Sequence, residues 1–272
     1  MIPTRRFVFF LEKLLPYRFL AAKLTRVPFM KTIINKMLFD KTNLTVLPKD
    51  SLIEIKLEKT IKTPDNIVLP SQVVEYFIRN AKYRFIMNFC ICREAMDCQK
   101  HSIQLGCLFL GDAARRINPE LGREATMEEA LTHVQKCREE GLIHLIGRDK
   151  IDETWLGVGY DGKLLTICNC CSCCCLWKML PNLDPDINVK VKRMPGIELR
   201  VTEKCTGCGL CLEKCFVHTI TIQNGKAIIG ANCKGCGRCA DCCPNKAIEL
   251  IINDTQFIKK TIDCIESSVD VS

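Results

Sequence analysis

Two copies of one cysteine spacing near the end of the chain constrain its fold more than any other feature. The first is Cys205-x2-Cys208-x2-Cys211-x3-Cys215, and the second is Cys233-x2-Cys236-x2-Cys239-x3-Cys243-Pro244. Thiols at i, i+3 and i+6 oblige a short segment to curl round a compact body, while the fourth ligand reaches it from elsewhere. The glycines suit such a path. Gly207, Gly209, Gly235 and Gly237 lie between the cysteines, where the backbone turns sharply and comes close to whatever the thiols hold. The copies align at an offset of 28 residues, with Gly207 on Gly235, Gly209 on Gly237, Glu213 on Asp241 and Ile220 on Ile248. The segment is an internal duplication. Zinc sites pair two-ligand knuckles across longer spacers, and a disulfide scaffold belongs to a secreted chain, so neither fits.

Across residues 197–252 this segment resembles the dicluster ferredoxins, whose cysteine run has the same spacing. The resemblance implies two [4Fe–4S] clusters with an exchanged fourth ligand. One cluster would hang from Cys205, Cys208, Cys211 and Cys243, the other from Cys233, Cys236, Cys239 and Cys215. The first copy departs from the second at Phe216, which stands where Pro244 follows Cys243. Cys242, beside Cys243, is a spare thiol, expected to pack, with exchange as a ligand the alternative.

The chain has 272 residues and 21 cysteines, and a dicluster ferredoxin occupies only about 55–60 residues, so most of it does something else. The other thiols fall at 90–107 and 168–175, with Cys137 and Cys264 apart. A clustered, unpaired thiol set implies a reducing compartment, expected to be the cytoplasm of an anaerobe.

Residues 1–41 hold nine Lys/Arg against Glu12 and Asp40, a net of +7 in a chain whose total is +8. Basicity is therefore a property of the N-terminus. Its apolar residues are too often interrupted by charge for a membrane span. Thr4-Arg5-Arg6-Phe7 has the outline of a twin-arginine signal, but Glu12 and Lys13 cut the apolar run short, which argues against export. Two readings stand: ordinary helices covering a core with Lys and Arg outward, or a basic amphipathic segment making peripheral membrane or partner contact.

Residues 44–69 alternate in part (Ile53, Ile55, Leu57 against Glu54, Lys56, Glu58) and suggest a short strand pair. Ser71 would cap a helix carrying Val74, Phe77, Ile78, Ala81 and Phe85, and Thr126-x-x-Glu129 is a capping box for a second helix ending at Gly141. Leu142–Ile146 reads as a strand, and Trp155–Tyr160 with Lys163–Ile167 as a hairpin turned at Asp161-Gly162. Helix plus hairpin has a winged-helix-like outline. Thirteen Lys/Arg against fourteen Asp/Glu over residues 71–175 argue against nucleic acid as a partner.

Cys90-x-Cys92-x5-Cys98-x8-Cys107 and Cys168-x-Cys170-Cys171-x-Cys173-Cys174-Cys175 form a second thiol system. If the strand persisted through it, Cys171, Cys173 and Cys175 would share one face and Cys170 and Cys174 the other. The candidate ligands of a third cluster are Cys92, Cys98, Cys107, Cys170, Cys171 and Cys174; buried packing thiols and zinc are the alternatives. Arg93 either offsets cluster charge or forms a surface ion pair. None of the four histidines has paired ligand spacing, and His133 is expected on the exposed side of its helix. This part resembles uncharacterised cysteine-rich iron–sulfur proteins of anaerobes.

The expected fold is α+β: a basic N-terminal segment with short strands (1–70), a cysteine-rich helix-plus-hairpin domain (71–176), a linker (177–196), a ferredoxin-like module (197–253) and a tail (254–272). The expected function is electron transfer to or within a redox complex, with a redox protein as donor or acceptor. A catalytic third cluster and a redox-sensing regulator are the alternatives.

Overall fold

The computed structural model describes residues 3–50, 53–55 and 69–272, the 53–55 segment by its backbone alone. Eight strands precede the ferredoxin-like module: β1 (Asn43–Val46), β2 (Ile53–Ile55), β3 (Arg84–Met87), β4 (Leu108–Leu110), β5 (Gly122–Glu124), β6 (Ile143–Arg148), β7 (Leu165–Cys170) and β8 (Val191–Arg193). Seven of them form one sheet in the order β5-β3-β4-β7-β6-β1-β8. Its pairs are antiparallel, except that β1 runs parallel to β8.

Period-two alternation gives this sheet two apolar faces. Ile86, Leu108, Leu110, Ile146, Leu165 and Ile167 pack on one side against the helices Ser71–Asn80, Met127–Glu139 and Phe257–Glu266. The opposite face carries Leu44, Val46, Ile143, Leu145 and Cys170 in one cluster and Phe85, Met87 and Phe109 in another. Over it lie the N-terminal helices Arg5–Leu14, Arg18–Leu24 and Pro28–Ile34, which contribute Val8 and Ala22 to these cores. Arg5 fastens the first helix, bonding Glu12 at 2.9 Å and also Glu94. Among the described residues no helix is long and apolar enough to cross a membrane.

The module adds β9 (Ile197–Val201), β10 (Ile220–Gln223), β11 (Lys226–Ile229) and β12 (Ile248–Ile252), with short helices at Leu210–Lys214 and Arg238–Asp241. β12 runs antiparallel to β9 and parallel to β2, so a strand from early in the chain completes this sheet. Ile197, Leu250 and Ile252 share a core with the helix Ser71–Asn80. The module is packed into the molecule, not tethered to it.

The mixed α+β architecture holds, but several local expectations change. The hairpin does not form. Residues Lys150–Leu156 are a helix, because the Asp149 side chain accepts from Ile151 N and Gly157 (φ 64°) ends it in the left-handed region. With that helix and seven strands, the winged-helix outline gives way to a helix-covered sheet. The two strands expected between 44 and 69 form, but β1 and β2 join different sheets; Leu57, Lys56 and Glu58 lie outside the described residues. Pro70, not Ser71, precedes the next helix, and Asp50 accepts from Ser71 N instead. The stretch 177–196 is folded: Trp177, Leu180, Ile187 and Val191 are buried, and β8 lies in the main sheet.

The capping box forms as read: Thr126 accepts from Glu129 N at 3.2 Å, and Glu129 accepts from Thr126 N at 2.8 Å. A buried bidentate pair joins Arg148 to Glu153, at 2.9 and 3.2 Å. Thr126→Ala should therefore lower stability by about 1 kcal/mol. Glu153→Ala, which strands the Arg148 charge, should cost about 3–5 kcal/mol. Anaerobic chemical denaturation of the two variants checks that ordering.

Candidate metal–thiolate sites

In the C-terminal module the two cysteine runs interleave. A small cavity is lined by Cys205, Cys208 and Cys211 of the first run together with Cys243 of the second. Cys215 faces Cys233, Cys236 and Cys239: burial pushes the Cys239 thiol up, and the three other sulfurs push it further. Backbone N–H groups are aimed at the sulfurs, Ala227 at Cys205 (3.3 Å), Ala247 at Cys243 (3.3 Å), Gly235 at Cys233 (3.4 Å) and Thr219 at Cys215 (3.5 Å). Such bonds favour the thiolate form. The four loop glycines are left-handed, and a Cβ at Gly207 would stand 2.5 Å from the Gly225 carbonyl oxygen.

The second thiol system divides in two. Strand β7 ends at Cys170 and the chain turns at once, with Cys174 N donating to Cys171 Sγ at 3.2 Å. The alternation expected beyond Cys170 is therefore lost. Cys98, Cys171, Cys173 and Cys174 come together, their sulfurs all within 4.8 Å of one another. Three of these were candidates for the third cluster; Cys173 was not.

The other candidates, Cys92, Cys107 and Cys170, meet Cys90, Cys168 and Cys175 at a cavity of about 370 Å³ beneath the N-terminal helices. Cys107 and Cys168 sulfurs lie 3.9 Å apart, and Cys170 and Cys175 sulfurs 3.2 Å apart. Phe7, Leu11, Leu38, Trp155 and Trp177 supply much of the remaining wall. The Cys170 thiol is held well below the usual range by hydrogen bonds from Cys168 and Cys175, with Arg238 and Arg93 adding to the pull against burial. A hydrogen bond from Cys92 likewise lowers Cys90 to about 7, with Arg93 reinforcing it. The other four thiols move the opposite way: Cys92, Cys168 and Cys175 are raised by hydrogen bonding to their sulfur neighbours and by burial, and Cys107 is raised by burial, so the group favours ionisation at Cys90 and Cys170 alone.

Both arginines are buried, and among the described residues neither has a carboxylate partner. Arg93 is wholly buried, donates to the carbonyls of Asn169 (2.8 Å) and Leu105, and leaves Nε without an acceptor. The surface ion pair considered for it does not form. Arg238, between Cys236 and Cys239, donates to the Cys170 carbonyl and leaves Nη1 without an acceptor. Burying a cation costs several kcal/mol unless negative charge lies beside it; the groups acting on Arg93 are the sulfurs of Cys90, Cys171, Cys107 and Cys170, and the buried acids Asp149 and Asp152 line the same cavity.

On the far side of β7, Asn169 Nδ2 donates to the Gly106 carbonyl (2.7 Å), and its Oδ1 is 2.8 Å from His144 Nδ1. His133 also turns inward, its Nε2 2.9 Å from the same Gly106 oxygen, so its expected outward placement is wrong. Burial lowers the His144 pKa to about 3.

Residues 200–221 match the family model described as a 4Fe-4S binding domain. The C-terminal module is a ferredoxin-like iron–sulfur module. No curated protein and no solved structure matches the chain.

Around this iron–sulfur module, sequence reasoning placed Cys90, Cys168, Cys173 and Cys175 in the second thiol system but not among its candidate ligands, and it missed Arg238 as a bridge. The crowding of cysteines at 168–175 was a signal for Cys168, Cys173 and Cys175, and the Cys90-x-Cys92 spacing for Cys90. An arginine set between two module cysteines carried no signal, because its partner is a carbonyl in a distant strand. Replacing Gly207 by alanine should force the first loop away from Gly225 and lower the iron held by the module, read by iron assay and visible absorbance. Retention of full iron would show that the close approach is dispensable.

Proposed function

We propose that this chain is an electron-transfer protein whose module carries two [4Fe–4S] clusters with exchanged fourth ligands. Cys205, Cys208, Cys211 and Cys243 hold the first; Cys233, Cys236, Cys239 and Cys215 hold the second. The observation that carries the reading is Arg238. It belongs to the second cluster loop and donates to the Cys170 carbonyl, so the module and the cysteine-rich sheet meet at their thiols. Electrons entering from a redox protein have a short protein-enclosed route from one to the other. The cavity beside Cys170 favours the second reading, an oxidoreductase fed by the module.

The tetrad Cys98, Cys171, Cys173 and Cys174 holds a further metal centre. A tetrahedral ion with metal–sulfur bonds of about 2.3 Å sets its sulfurs about 3.8 Å apart, which suits a group confined within 4.8 Å. Corner irons of a cubane hold thiolates farther apart. The tetrad is therefore a single-ion cage, closed by four thiolates and structural in character.

Cys215→Ala should release or degrade the cluster held by Cys233, Cys236 and Cys239 while the Cys205 set keeps its own. EPR of the reduced protein distinguishes the two; loss of the Cys205-set signal instead contradicts the exchange.

The N-terminal helices present Phe9, Phe10, Leu20 and Phe29 to solvent among exposed Lys13, Lys23 and Lys36. That combination suits an anionic membrane surface. Changing Lys13, Lys23 and Lys36 together to glutamate should abolish salt-sensitive co-sedimentation with phosphatidylserine vesicles and leave iron content unchanged. Equal sedimentation of both proteins would remove the membrane from the reading.

A further inference from the structure

We propose that Cys90, Cys92, Cys107, Cys168, Cys170 and Cys175 hold an additional iron–sulfur cluster at the base of the cavity beneath the N-terminal helices. The cluster stands on its own observations; only its supply of electrons rests on the module's relay role.

Six thiols converge there from three separate parts of the chain: the start of the helix Ile91–Ala95, the residue before β4, and the end of β7 with the turn after it. A single tetrahedral ion takes four ligands and leaves no cavity. Here seven cysteines, the six named and Cys171 of the tetrad, border a space of about 370 Å³, room for a polynuclear body. The two thiol groups adjoin where β7 ends. Cys170 is its last residue and lines the cavity, and Cys171, which also borders the cavity, begins the turn that gathers Cys98, Cys173 and Cys174.

Packing thiols would explain the burial but not the charge. Arg93 and Arg238 are 0% and 6% exposed, and each keeps one guanidinium nitrogen with no acceptor among the described residues. Neutral thiols cannot balance two such cations, and the buried acids of the same wall, Asp149 and Asp152, bond Ile151, Trp155 and Thr166 and neither arginine. Ionised thiolates on a cluster would balance them, and the arginines reach that end of the strand from both sides, Arg93 through the Asn169 carbonyl and Arg238 through the Cys170 carbonyl. Leu14, Leu15, Ile151 and Met179 make much of the remaining wall apolar, with Arg18, Asp149, Asp152 and Asn169 among the polar residues that also line it. Buried cations, converging thiols and a cavity of sufficient size are the features that a thiolate-bound cluster uses.

Native mass spectrometry of the anaerobically purified full chain, with iron and sulfide analysis, tests this directly. Beyond two four-iron clusters and one single ion, the protein should carry at least about four more irons with inorganic sulfide. The double variant Cys107→Ser/Cys168→Ser should lose that increment and keep the module's EPR signals. Cys208→Ser/Cys236→Ser should do the converse, which separates failure of this site from failure of the relay. A wild-type mass accounted for by the module and the tetrad alone overturns the proposal, whether or not the variants accumulate. So does an increment that survives in Cys107→Ser/Cys168→Ser.

Discussion

Two buried guanidinium groups, neither paired with a carboxylate among the described residues, meet where β7 ends and join the iron–sulfur module to the cysteine-rich sheet. Arg93 comes from the short helix after β3 and Arg238 from the second loop of the iron–sulfur module. Both donate to backbone carbonyls at 169–170. Moving two cations out of water is costed in several kcal/mol each, and ordinary carbonyl acceptors recover only part of it. Of the sulfurs beside them, Cys90 and Cys170 are the two whose surroundings favour the thiolate. Metal binding in the proposed cluster would ionise the rest of the group and balance the two cations.

The sheet explains how thiols from remote positions arrive at one place. Antiparallel pairing sets Cys168 beside Leu145 in β6, while Cys107 directly precedes β4 on the other flank of β7. Alternation then sends Cys168 and Cys170 to the N-terminal side and Asn169 to the side of the helix Met127–Glu139, where His133 and His144 meet it. The N-terminal helices wall the cavity with Phe7, Leu11 and Leu14 while exposing Phe9 and Phe10. One amphipathic segment thus has a structural inner face and an outer face left for contact.

The duplicated cysteine runs were legible because their geometry is local: spacing, glycines and a repeat all lie within the segment that folds. The capping box at Thr126 was legible for the same reason. The partition of the other ten cysteines was not, because it depends on where β7 stops, and a run such as Cys170-Cys171-Ser172-Cys173 contains no residue that announces a strand end. Residues 155–160 were misread as a strand because Trp155 and Tyr160 favour sheets, whereas the Asp149 cap upstream and Gly157 downstream decide the matter. Arg238 shows the deeper limit. Its role is set by a carbonyl 68 residues away in sequence, and only tertiary structure puts them together.

Redox-poised EPR of the anaerobically prepared full chain tests the central claim that the module and the six-thiol group form one electron-carrying assembly. Stepwise reduction should reveal signals from the module clusters and from a further centre, with line shapes altered by magnetic interaction once neighbouring centres are both reduced. Two non-perturbed cluster signals and no others, at any potential, would contradict it.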